Sequence, residues 1–414
     1  MTIRRTFFIA LISLMLLLAG CQKQVALVDE ESQKTEVAGL VSELQTQEWG
    51  KKEIPATKTP SPEPSSTPTV TKIPDTPTAT MTPTEVSYRV GPSDFPDDVN
   101  PLTGLKVDNP EIMNRLPLMV KVPNFPAYGR PHGGLSAADI VFETWIGAGA
   151  NRFVPIYYGQ DCDYVWPIRS VRIVDPELAT LYHAILVFSG GDPVKVLPKV
   201  NDIMDNKYVM EGTTPGMYSN GADVTRLHVD TKVVTEDLQK RGIDPGEKPE
   251  LEGMLFDEKI PEGGEDGEKL TFHFSKINSG DWVYDEESGK YMRWIEDAAS
   301  YEMIPLIDKN TGEQLAFSNV IVLFTPNNEI ETQLIDIKIW DNSQGRRAIL
   351  FRDGKAYEGI WKTTDRNAPM QFFDEDGNLF PLKPGNTWIA ITGTTSPVEV
   401  EDGEWFVQFR VQLP

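Results

Sequence analysis

Arg169 and Arg172 lie three positions apart in a stretch that leads to Gly190-Gly191-Asp192. Guanidinium groups hold carboxylate or phosphate oxygens through paired hydrogen bonds, and adjacent glycines let a backbone approach such a ligand closely. Asp192 could orient a hydroxyl or act as a base, and His228 adds an imidazole that titrates near neutral pH. Other charges sit in apolar surroundings: Asp139, Glu143 within the run Ile140 to Ile146, and Arg152 beyond the reversal Gly147-Ala148-Gly149-Ala150-Asn151. Buried charge is costly unless paired, so one reading makes Asp139, Glu143 and Arg152 a structural network. The other makes Arg169, Arg172, Gly190, Gly191, Asp192 and His228 the lining of a ligand cleft. Residues three apart in an extended segment point to opposite faces. One arginine is therefore expected to pair inward with Glu143 or Asp139, and the other to face the cleft.

Other chemistries have little to stand on. His132, His183, His228 and His273 are scattered, with no pair at metal-ligand spacing and no cysteine cluster, so no metal or other cofactor is expected. The chain lacks HExxH, GxSxG, SxxK, Walker A and CxxC signatures. Cys162, between Asp161 and Asp163, reads as an inert thiol because neighbouring carboxylates disfavour its thiolate. Trp282, Trp294, Trp340, Trp361, Trp388 and Trp405 read as core rather than as a sugar-stacking surface. With 39 basic against 62 acidic residues and a net charge of -23, the chain is not a generic nucleic-acid binder.

The elements that must position these residues follow from hydrophobic period. Ile140 to Ile146 reads as a strand that returns from Phe153 to Tyr158, and Asp175-Pro176-Glu177 as a helix start with the aspartate as cap. Ala184 to Phe188 reads as a buried strand, Val194 to Tyr208 and Thr235 to Arg241 as helices, and Asp244 to Glu247 as a linker. Beyond it, short alternating runs, with Asp353-Gly354 and Asp376-Gly377 as hairpin turns, argue a β sandwich or barrel-like domain. The expected class is α+β: a mixed α/β domain over 98–245 followed by a β-rich domain over 246–414.

The N-terminus carries an address. Arg4-Arg5 and the uncharged run Phe7 to Ala19 form a secretory signal over 1–20, and Leu18-Ala19-Gly20-Cys21 fits a lipobox whose thiol at Cys21 takes the lipid. Residues 21–97 read as a disordered tether, since Pro, Ser and Thr supply 21 of the 32 residues from Ile54 to Glu85. That stretch alone would reach on the order of 100 Å at about 3.1 Å per residue.

Several stretches together resemble the YerB-like family of bacterial lipoproteins: Asn100-Pro101-Leu102-Thr103-Gly104, Gly134 to Glu143, Pro167 to Arg172 and Gly190-Gly191-Asp192-Pro193. In the second half, Tyr284-Asp285, Gly289 to Arg293, Asn319 to Val322, Gly359-Ile360-Trp361 and Pro384 to Trp388 are similar to that family's C-terminal domain. One departure is His228-Val229, where the family pattern follows its histidine with asparagine. The resemblance implies an extracytoplasmic lipoprotein of two domains. The expected function is a lipid-anchored binding or scaffolding protein of the bacterial envelope, bound to the membrane through its lipid and to an envelope protein or cell-wall glycan. The alternative is an enzyme acting on a wall polymer through Arg169, Arg172, Asp192 and His228.

Overall fold

Continuous apolar runs mark the central strands of this chain, and a strand that is apolar on both faces must be covered on both. The structure, a computed structural model, describes residues 88–297 and 299–411. The signal segment 1–20, Cys21 and residues 21–87 of the expected tether lie outside the described residues, whereas its last part, 88–97, is ordered: Arg89–Val90 pairs with Leu255–Asp257 and Val90 enters the core. Strand outweighs helix, and the class is a mostly β form of α+β.

A 12-stranded sheet runs through the centre. Its N-terminal part comprises the hairpin Ile140–Gly147 and Ala150–Tyr157, followed by Leu118–Val120, Ile185–Phe188 and Tyr208–Met210. Its C-terminal part comprises Lys355–Thr363, Asn342–Arg352, Asn319–Thr325 and Thr387–Gly393. The seam is a parallel pairing of Thr387–Gly393 with Ile140–Gly147, in which Trp388 sits beside Val141 and Ala390 beside Glu143. The stretches 98–245 and 246–414 thus share one sheet, and the described residues fall in one compact unit. The C-terminal strands do form two layers, but the N-terminal hairpin completes one of them.

Period two sorts the side chains. Ile140, Phe142, Val154, Ile156, Ile321, Leu323, Ile389 and Ile391 enter one core with Leu178, Leu181 and Tyr182 of the helix Asp175–Leu181. Val141, Phe153, Val320, Val322, Trp388 and Ala390 enter a second core, against Leu270, Phe272, Trp282, Tyr291, Phe317 and Trp405. That second core is closed by a seven-stranded sheet built on Lys269–Ser275, Asn278–Asp285, Lys290–Glu296 and Glu404–Gln408. Trp282, Trp361, Trp388 and Trp405 are buried, whereas Trp294 and Trp340 are half-buried.

Two elements differ from expectation. The segment after Pro193 is helical only over Leu197–Met204, and Tyr208–Met210 turns back into the sheet beside Ile185–Phe188. The last helix starts a turn early, at Thr231–Lys240, because the Asp230 carboxylate accepts from Val233 N and caps it. At Asp353-Gly354 both residues take positive φ, 51° and 72°, as a tight hairpin of that type requires.

Candidate functional site

Leu118–Val120 and Ile185–Phe188 run parallel, and both end at one margin of the sheet. Open sheets with parallel strands collect ligands at such carboxyl ends. Lys121 follows the first strand and Ser189-Gly190-Gly191-Asp192 the second. The segment Arg169 to Val171 is stitched to both: Arg169 N donates to Lys121 O (2.9 Å), Ser189 N to Arg169 O (3.0 Å), and Val171 N to Gly190 O (2.9 Å).

The charges gathered here are mostly positive. Lys121 Nζ donates to Asp175 Oδ1 at 2.6 Å, and both side chains are wholly buried. Burial pushes the Lys121 ammonium down to about 8, against the pull of Asp175, with Arg152 and Arg172 adding repulsion. Asp175 Oδ2 accepts from Arg172 N at 2.6 Å, so this carboxylate faces the cluster and does not cap its own helix. Arg152 stands opposite Thr144 in the hairpin, is 4% exposed, and donates through Nη1 to Ser170 O. Its Nε has no hydrogen-bond partner, and burial followed by the repulsion of Arg172 and Arg169 holds its guanidinium well below the usual arginine range. Arg172 is half-exposed, gives Nη1 to Val171 O, and leaves Nε unpartnered. Burial lowers it to about 10 despite Asp175, and Arg169 adds to the lowering. Arg169, also half-exposed, reaches Val224 O.

The glycine loop lies alongside. A Cβ on Gly190 would meet nothing within 4 Å, so there is open space at that backbone, whereas Gly191 packs against Val171 and Leu197. Asp192 is exposed, and its Oδ1 accepts from Val194 N (2.9 Å) and Lys195 N (2.8 Å). Those bonds hold its carboxyl below the usual range, which makes it a loop cap and a poor base.

His228 belongs to an aromatic row. It lies in the hairpin Met217–Ser219 and Leu227–Val229, its ring between Tyr218 (centroids 5.2 Å) and Tyr164 (4.6 Å), and Tyr164 stacks on Trp166. Lys309 Nζ sits 3.9 Å from the Trp166 ring centre. Burial lowers the His228 pKa, and its Nδ1 has no partner. This aromatic row joins the arginine segment through Trp166 Nε1 to Thr225 O and Ile168 N to Leu227 O.

Neither Arg169 nor Arg172 pairs with Glu143 or Asp139. Glu143 points to the other face of the hairpin, where Arg293 Nη2 reaches both its oxygens (3.2 and 3.3 Å), Trp388 Nε1 donates at 2.8 Å, and Asn151 Nδ2 completes the set. Arg152, one residue out of phase with Phe153, faces away from it. Asp139 accepts from Asn100 Nδ2, Tyr158 N and Gly159 N, tying the Asn100 turn to the hairpin end, and burial raises its carboxyl to about 6. Cys162 is buried, its thiol pushed up to about 11 by burial.

An open cavity of about 400 Å³ lies away from the arginine cluster, lined by Glu111, Asn114, Arg115, Asp161, Lys232 and Gln239. It is the weaker candidate, because Arg115 already gives its donors to Tyr158 O, Gln160 O and Asp161. Among the described residues no group of three or more His, Cys, Asp or Glu side chains is placed to hold a metal ion.

Sequence reasoning missed Lys121, Asp175 as its partner, Arg293 and the Tyr164–Trp166–His228–Tyr218 row. Lys121, a lone charge inside the apolar run Leu118 to Val122, was the available signal.

Two family models match this chain: the N-terminal domain of a family described as protein of unknown function (DUF3048), over 102–244, and the C-terminal domain of the same family, over 270–389. The chain is a YerB-like member of the DUF3048 family. It is 27% identical over 311 residues to "Putative lipoprotein YerB" of Bacillus subtilis (strain 168), across 73% of this chain and 89% of that protein. The crystal structure of YerB protein from Bacillus subtilis superposes with a TM-score of 0.57 at 24% identity, covering 71% of this chain and 96% of that one, a likeness of fold. Both family domains contribute to the central sheet, since its seam pairs Thr387–Gly393 with Ile140–Gly147.

Proposed function

We propose that this protein is a lipid-anchored binding module of the bacterial envelope, held to the membrane at Cys21, that captures an anionic ligand on the Arg169–Arg172 face. The observation that carries the reading is Arg152: a buried guanidinium with no carboxylate among its hydrogen-bond partners in the described residues, beside the half-exposed Arg172. Like charges held together in low dielectric raise the energy of the empty site, and a bound anion lowers it. Asp175, the buried carboxylate of the cluster, is shared between Lys121 Nζ and Arg172 N, and one such charge does not balance Lys121, Arg152 and Arg172. The name of the Bacillus relative supports the anchored address.

The enzyme alternative draws less support. Asp192 is engaged as a loop cap and His228 is held in the aromatic row, so those two do not form an acid–base pair. The test is the melting temperature of the full chain across a panel of small anions at constant ionic strength. At least one anion should raise it, and the rise should vanish in an Arg169→Gln/Arg172→Gln variant, since a ligand that binds only the folded state stabilises it. Identical anion responses in the variant and the wild type would remove the site.

A further inference from the structure

We infer that the anion this face selects is a phosphoryl dianion, a phosphomonoester or diphosphate group, rather than a carboxylate. The inference rests on the anion-binding reading above and narrows it. Among the described residues, the two guanidinium groups Arg152 and Arg172 hold no carboxylate within hydrogen-bond distance: the bonds they make go to the carbonyls of Ser170 and Val171. The two carboxylates that bear on the cluster are already engaged. Asp175 gives one oxygen to Lys121 Nζ and the other to Arg172 N, and Asp192 caps its own loop. A carboxylate ligand brings one charge and two oxygens, enough for one guanidinium fork. A phosphoryl group brings about -1.5 to -2 at neutral pH and three acceptor oxygens, enough for both arginines.

The surroundings are open at the Gly190 backbone and positively charged. Open space beside Gly190 leaves room for a compact tetrahedral group against the backbone. Lys121, buried and electrostatically coupled to Arg152 and Arg172, occupies the Asp175 carboxylate that would otherwise offset the two guanidinium charges. Arg169 adds to the field felt by both Arg152 and Arg172. A monoanion would leave one of the two guanidinium charges uncompensated in a buried setting, and that residual cost sets the selectivity.

The experiment titrates the purified full chain with inorganic phosphate, pyrophosphate, acetate and succinate at constant ionic strength and reads the melting temperature and the apparent Kd. Phosphate and pyrophosphate should bind at least about tenfold more tightly than either carboxylate. Arg172→Gln should lose that preference. Arg226→Gln should keep it, because Arg226 lies outside the cluster in its own pair with Glu211. Succinate binding as tightly as phosphate would overturn the phosphoryl assignment while leaving an anion site. No response to any of the four would overturn the anion site as well. A parallel arm offers phosphatidylcholine vesicles with and without phosphatidic acid. Binding that depends on phosphatidic acid and is lost in Arg172→Gln makes a lipid headgroup the carrier. Phosphate binding without vesicle binding makes the carrier a soluble or polymer-borne group, and both results sustain the phosphoryl assignment.

Discussion

On one face of the Ile140–Tyr157 hairpin, Glu143 is fully buried and closed: it accepts from Arg293, Trp388 and Asn151, and the Arg293 guanidinium lies over the rings of Trp282 and Trp388. On the other face, Arg152 is almost as buried but has Arg172 and Arg169 as its strongest charged neighbours, with Asp175 committed to Lys121. Burial alone does not separate the two places, and neither does hydrogen-bond satisfaction, since Arg293 also leaves Nε and Nη1 without acceptors. The balance of charge separates them. The inter-sheet pair is neutral and pins one sheet to the other, whereas the sheet-edge cluster holds surplus cation beside open space. The first is a structural use of buried charge and the second a binding use.

The comparison can be broken from either side. The largest effect belongs to Arg293→Ala, which strands Glu143 between the sheets and should cost about 3 to 5 kcal/mol in chemical denaturation. A loss below about 1 kcal/mol would mean the pair does not pin the sheets. Gly280→Ala comes next: its Cβ would lie 2.1 Å from Arg293 Nη1, so the guanidinium must shift, at a cost of about 1 to 3 kcal/mol. A variant as stable as the wild type would show that the guanidinium can move freely. Arg172→Gln should change stability by no more than about 0.5 kcal/mol while removing anion-dependent stabilisation, and a loss comparable to that of Arg293→Ala would make the two faces alike.

The smallest effect is a pH dependence with two opposite signs. Lys121 titrates near 8 when folded and at 10.5 in the unfolded chain, so above about 8 the unfolded state binds more protons. Its contribution to stability without anion therefore rises with pH across that window. Anion affinity should fall over the same window, because deprotonated Lys121 leaves the Asp175 charge to offset Arg152 and Arg172. Phosphate titrations below and above about 8 check this, and an affinity that stays constant would detach Lys121 from the site.

Much of the fold was legible because short apolar, β-branched runs bounded by turn residues mark strands in any tertiary arrangement. Ile140 to Ile146, Asn319 to Phe324 and Trp388 to Ile391 read as strands from the sequence and are strands in the fold. The partners were not legible. Whether Glu143 meets Arg152 or Arg293 depends on cross-strand register, and the hairpin sets Glu143 opposite Phe153, placing Arg152 on the reverse face. The link between Arg293 and Glu143 spans 150 positions and depends on which sheet covers which. Local period carries no information about that stacking. The parallel seam between Thr387–Gly393 and Ile140–Gly147 was hidden for the same reason, as was the stacking of His228 between Tyr164 and Tyr218.

Arg152→Met tests the central contrast most directly, because it replaces the surplus buried cation by an apolar chain of similar length. Denaturation with and without pyrophosphate should find the variant within about 1 kcal/mol of the wild type, or above it, when no anion is present, and should find the pyrophosphate-induced gain lost. A loss of about 3 to 5 kcal/mol in both conditions, as expected for Arg293→Ala, together with a gain from pyrophosphate equal to that of the wild type, would show that Arg152 is structural and that no surplus charge is held for a ligand.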